Sequence, residues 1–257
     1  MTGVQTCALP IYELLSISGL RSDGRKADEI RRVACSLGTF TDCDGSAYLE
    51  MGNTKVLAVV YGPREGNRFG SSLDEGAGIE CDVTIAPFSH MDHKVIGKNS
   101  RMCVEYSLAM RRCFEHVVMT SLYPRSVIRI SCTILQSDGG ELSCILNASL
   151  LALVDAGIAV SDFQVSLEVG YMDNSILFDM NRTESRLNGI VMTVAYLPKM
   201  DRFTLVTMDN NIPLELFEVI LKAVKEGCKQ MYSILSEAVL EHAKKLYSVM
   251  HEESSRV

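Results

Sequence analysis

The residues best suited to chemistry form a turn and the helix expected behind it. Asp138-Gly139-Gly140 precedes a run, Glu141 to Ala156, that is apolar nearly all round, and such a run reads as a buried helix. Free backbone N–H groups at a helix N-terminus attract phosphate, so this turn is the strongest anion site the chain offers. The next residue argues against that use: Glu141 puts a carboxylate at the helix start, where it caps the N–H groups itself and repels an anion. Two basic stretches follow as candidates. Arg64 and Arg68 lie on a loop rich in glycine, and Lys94, Lys98 and Arg101 on a second polar loop. Basic loops suit contact with an RNA backbone and equally suit plain solvation. His90 and His93 lack a matching cysteine or carboxylate partner, so no metal site and no cofactor are expected.

These groups need a sheet to hold them. Between Asp44 and Pro63, Ser46 to Met51 and Lys55 to Tyr61 flank Gly52-Asn53-Thr54, which predicts a β-hairpin. Val56-Leu57-Ala58-Val59-Val60 is apolar on both faces, which predicts a central strand covered on both sides. Further strands are expected at Ile79 to Ala86 and Val127 to Leu135. Between them Val104, Leu108, Cys113, Val117 and Met119 recur at helical spacing over Ser100 to Leu122, ahead of Pro124. The second half repeats the plan, with strands at Phe163 to Met172, Ile190 to Tyr196 and Phe203 to Met208. A last helix opens on Pro213 and carries an apolar stripe, from Phe217 to Val239, out to about Leu246. Strands then helices, twice over, predict an α/β (α+β) sandwich with sheets packed on helices, in two related halves, 19–158 and 159–257. Residues 1–18 stand apart as a tail. Its first part, Met1 to Ile11, resembles translated adapter read-through and is expected to be disordered.

Composition narrows the field. With 257 residues the chain can bury a full core, and a net charge of −7 argues against a generic nucleic-acid binder. Nine cysteines, odd in number and without a Cys-x-x-Cys pair, suggest neither zinc nor a disulfide framework. The longest apolar run, Cys144 to Val160, is interrupted by Asn147, Ser149 and Asp155 and is too short to span a bilayer, so no membrane partner is expected.

The hairpin words DGSAYLEMGNTKVLAVVYGP, with Leu20-Arg21-Ser22-Asp23-Gly24-Arg25 upstream, resemble the RNase PH family of phosphorolytic 3′ exoribonucleases, and within it the ring subunits of the eukaryotic exosome core. The resemblance covers about Gly19 to Leu246 and implies the duplicated RNase PH fold. It also implies a site. Active members follow the glycines with a small residue and then arginine, where this chain has Glu141 and Leu142. They carry another arginine three residues before the position of Glu105, where this chain has Met102. They use two carboxylates inside a frame kept here as Asp179, Asn181 and Glu184, yet the two positions themselves are Ser185 and Val191.

The resemblance therefore implies a non-catalytic ring subunit that helps assemble the ring and thread single-stranded RNA. Other RNase PH-type subunits and cap subunits are the expected partners, and nucleus, nucleolus and cytoplasm the expected location. An active phosphate-dependent exoribonuclease is the alternative, and a free-standing scaffold on the same fold a third reading.

Overall fold

The computed structural model describes residues 19–65, 76–90, 97, 100–172, 175–186 and 189–254. The tail at 1–18, with Arg68, His93, Lys94 and Lys98, lies outside them. Mixed α/β architecture follows directly from the element order. The first sheet holds β1 (Val33–Leu37), β2 (Gly45–Met51), β3 (Thr54–Glu65), β4 (Gly78–Ile85) and β5 (Ser126–Gln136), ordered β1-β2-β3-β5-β4. Neighbours are antiparallel except β4 and β5. That parallel pair needs a crossover, and helix α1 (Arg101–Val117) supplies it. The hairpin turn is shorter than expected: Met51 pairs with Thr54, so only Gly52 and Asn53 turn and Thr54 opens β3.

The second sheet holds β6 (Val165–Met172), β7 (Ser175–Phe178), β8 (Ile190–Leu197) and β9 (Arg202–Met208), antiparallel in the order β7-β6-β8-β9. Helices α1, α2 (Glu141–Asp155) and α4 (Leu214–Ser254) pack between the sheets. Helix α2 lies against β2 and β3 on one side and β6 and β8 on the other. Every residue from Leu142 to Leu153 is accordingly buried, which is what an all-round apolar helix requires. A main apolar core draws on residues from Leu37 to Leu235, with a small separate cluster of Met172, Leu177 and Met180 beside it.

Three expectations need correction. Strand β3 is central but covered on one face: Val56, Ala58 and Val60 are buried while Leu57 and Val59 are only half-buried, because the helices lie on one side of this sheet. Helix α1 ends at Val117, not Leu122, since Val118 pairs with Val160 and the Ser161 N–H donates to the Val117 carbonyl at 2.8 Å. A separate 3₁₀ turn covers Thr120–Leu122. The buried face of α1 is Cys103, Met110, Cys113, Phe114 and Val117, whereas Val104, Leu108 and Met119 point to solvent. Strands β1 and β7 and the one-turn helix α3 (Arg182–Ser185) were not expected from the sequence.

Two buried ion pairs bind the segment before β1 to the loop after β7. Arg31 donates through Nε and Nη2 to the Asp179 carboxylate at 2.8 and 2.6 Å, and its backbone N–H adds a bond of 3.0 Å. Its remaining N–H groups reach the Thr54 hydroxyl and the carbonyls of Asp138 and Gly139. Arg21 grips Glu184 through two N–H groups and donates to the carbonyls of Phe178 and Asp179. All four charged residues are at most 6% exposed. Removing one partner of such a pair strands a buried charge, at about 3–5 kcal/mol. Asp179→Leu should therefore lower urea-unfolding stability by that amount, and Arg31→Met with Asp179→Leu should recover much of it. Equal loss in the single and double variants would mean that the pair is not the source.

Candidate functional site

The pieces meet in one cavity of about 560 Å³, between the first turns of α1 and α2, helix α3, and strands β6, β8 and β9. Met102, Glu141, Leu142, Ser185 and Val191, far apart in sequence, all line it. Of the basic candidates, Arg64 and Arg101 do not, and Arg68, Lys94 and Lys98 lie outside the described residues. Arg101 is the first residue of α1, not part of a loop, and its side chain is spent on Glu105 at 2.7 Å in solvent. Arg64 belongs to β3, not to a loop. It lies over the Tyr61 ring at 5.2 Å, with Asp44 3.5 Å away, and stays mostly exposed.

Helix α2 begins differently from expectation. Gly140 is its N-cap residue, left-handed at φ 66°, and Glu141 makes no capping bond. The Glu141 carboxylate turns instead toward α1, accepting from the Tyr106 hydroxyl at 2.8 Å and from the Ser137 hydroxyl. It remains at the mouth of the helix terminus, so it still opposes an anion there. The two glycines are needed by their neighbours: a Cβ on Gly139 would come within 2.6 Å of the Met180 carbonyl, and one on Gly140 within 2.8 Å of Arg31. Asp179 and Glu184 do not reach the cavity lining; they are the counter-ions of Arg31 and Arg21.

His90, considered in the sequence only as a metal ligand, also lines the cavity, and other lining residues went unread: Tyr106, Glu168, Arg182, Arg186, Thr193 and Asp209 among them. Arg182 donates to His90 Nδ1 at 3.1 Å. A guanidinium only donates, so Nδ1 accepts and the ring proton sits on Nε2. Glu168 stands on β6, cross-strand from Thr193, and receives the Ser185 hydroxyl at 3.4 Å. It is 8% exposed. Burial, with Asp179 nearby, pushes its carboxyl up to about 7. One signal was available, since Glu168 is the only charged residue in the mostly apolar strand VSLEVGYM. Among the described residues no three His, Cys, Asp or Glu side chains converge on a metal position, and no helix is long and apolar enough to cross a membrane.

Known proteins resemble this chain in sequence and in fold. Residues 29–159 match the RNase PH model, described as 3′ exoribonuclease family, domain 1. The chain is 41% identical over 218 residues to the exosome complex component RRP41 homolog of Arabidopsis thaliana, covering 84% of this chain and 90% of that protein. It is 38% identical over 223 residues to human exosome complex component RRP41, covering 86% and 91%. Among solved structures, rice Rrp46 superimposes with a TM-score of 0.76 at 22% identity, over 85% of this chain and 100% of that one. The Archaeoglobus fulgidus exosome with RNA bound to the active site gives 0.73 at 21%, over 84% and 92%. These two likenesses speak to fold.

Glu168 makes stability depend on pH. Its folded pKa lies above the unfolded value, so the fold favours the protonated form. The contribution is complete below about pH 4.5 and is lost as pH rises through about 7. A shift of this size corresponds to roughly 3 kcal/mol at most. Glu168→Gln should flatten the stability curve between pH 5 and 8 and leave the variant more stable than the parent at pH 8. An unchanged pH profile in denaturant melts would remove Glu168 from the account.

Proposed function

Because the chain belongs to the RNase PH family of 3′ exoribonucleases, we propose that it is a non-catalytic subunit of an exosome core ring, supporting 3′ to 5′ RNA processing and decay carried out by nucleases elsewhere in the assembly. The carrying observation is the lining of the cavity. Phosphorolysis needs an inorganic phosphate held in line with the terminal phosphodiester. Where the family resemblance places the arginines for that task, the cavity has the thioether of Met102 and the isobutyl group of Leu142, with Glu141 beside them. Glu105, Glu168 and Asp209 add further carboxyls around the same space. Losing one preorganised electrostatic contact commonly costs about 10²–10³ in rate, and here several are replaced together.

The relatives named RRP41 are exosome components, which supports a ring of RNase PH-type neighbours, cap subunits and single-stranded RNA as partners of this chain too. An apolar strip one helical turn long, Val104 and Leu108 on the outer face of α1, suits burial against a neighbour. The same reading carries the expected location, nucleus, nucleolus and cytoplasm.

Two outcomes follow. The purified protein, alone or in its ring, should release no nucleoside diphosphates from single-stranded RNA with phosphate and magnesium, and restoring an arginine at 102 alone should not change that; vigorous phosphate-dependent shortening by the unmodified chain would defeat the proposal. If Arg64 meets the RNA backbone in the ring, Arg64→Ala should lower the slope of log affinity against log salt by about 0.7. An unchanged slope would leave Arg64 as a surface charge paired with Asp44.

A further inference from the structure

The carboxyls that face the cavity are not equivalent. Glu105 is ion-paired with Arg101 in solvent. Glu141 has each oxygen engaged, by Tyr106 and by Ser137. Asp209 is exposed just past the end of β9. Glu168 alone is buried on the floor, between the Ser185 hydroxyl of α3 and Thr193 of β8.

We propose that this cavity keeps a proton donor, Glu168, facing the space where an oxygen leaving group would lie against Ser185 and Thr193, although the unmodified chain lacks the grip on phosphate needed to use it. The inference rests on the family reading above, in which the reaction of such a cavity is attack of inorganic phosphate on the terminal phosphodiester of RNA. In that step a phosphate oxygen bonds to the terminal phosphorus as the bond from phosphorus to the penultimate O3′ breaks. The electron pair goes to O3′, Glu168 gives it a proton, and a nucleoside diphosphate leaves. The carboxylate then regains a proton from solvent.

The surroundings suit a group that carries a proton near neutrality. Asp179 and Glu141 oppose its ionisation and Arg31 favours it. Tyr106, from α1, feels the charges of Glu141, Glu168 and Asp209 together, and Arg182 and Arg186 line the same cavity. The acid half of the chemistry is thus present, supplied from β6 and not from positions 185 and 191. What is missing is the grip on the anion, at 102 and 142.

The experiment adds that grip. Met102→Arg, Glu141→Ser and Leu142→Arg are combined in the full chain, copurified with its ring partners, and supplied with single-stranded RNA and inorganic phosphate. Nucleoside diphosphate release should appear. It should fall at least about 100-fold when Glu168→Gln is added, survive in part with Glu168→Asp, and decline as pH rises through about 7. Activity indifferent to Glu168→Gln, or absent until Asp is placed at 185 or 191, overturns the proposal.

A second measurement needs no activity. In difference infrared spectra of the unmodified chain, one carboxyl should titrate near neutrality and vanish in Glu168→Gln; titration in the ordinary carboxylate range overturns the proposal even if the arginine variant fails to fold. Phosphorolysis by the unmodified protein would count against the non-catalytic reading instead, and Glu168→Gln would still judge Glu168.

Discussion

The buried pair of Arg31 and Asp179 is the interaction around which the rest of the molecule is arranged. A guanidinium has five N–H donors, and Arg31 places all of them: two on Asp179, one on Thr54, and one each on the carbonyls of Asp138 and Gly139. The segment before β1, the hairpin turn, the turn before α2 and the loop after β7 therefore meet at one side chain. Such a junction leaves no room for other groups, which is why the turn at 139–140 is glycine. The glycines that look like a phosphate cradle in the sequence are demanded by the clamp. Their presence says nothing by itself about whether an anion binds.

That separation of roles leaves the shape of the cavity independent of the side chains that give it its chemistry. Arg21 and Arg31 hold the loop from Phe178 to Glu184, and the loop in turn sets Arg182 and Ser185 at the cavity wall. Met102, Leu142 and Val191 have apolar side chains that contribute no hydrogen bond to the clamp. Substitution at these positions alters what the cavity can bind without loosening what holds it open. A carboxylate frame that persists beside altered positions is expected wherever the frame is structural and the altered positions are chemical.

Much of the fold was legible because its signals are one-dimensional. The hairpin at Met51–Thr54, the all-round apolar α2 and the stripe of α4 through Ile220, Val224, Cys228, Met231 and Leu235 can each be read from spacing alone. The buried face of helix α1 could not, since the helix carries apolar residues on two faces. Only the position of β4 beneath it decides that Cys103, Met110 and Phe114 go inward while Val104 and Leu108 do not. Strands β1 and β7 and helix α3 are short, and are defined by partners distant in sequence. The five positions singled out in the sequence all line one cavity, but the electrostatics of that cavity were not legible. The partners of Glu141 lie four residues before it and thirty-five away, and no spacing rule finds Tyr106.

Buried charge in this protein comes in two forms, and the contrast explains Glu168. Asp179 and Glu184 each have an arginine whose donors are directed at them, so burial is offset by full hydrogen bonding. Glu168 lies near the same Arg31, but Arg31 has no N–H left to give. The single hydroxyl of Ser185, at 3.4 Å, is a weak substitute. A carboxyl in that position has one remaining way to lower its energy, which is to keep its proton. Burial is thereby the main reason that the acid on the floor of the cavity holds its proton up to about 7, and of the clamp only Asp179 adds to that effect while Arg31 works against it.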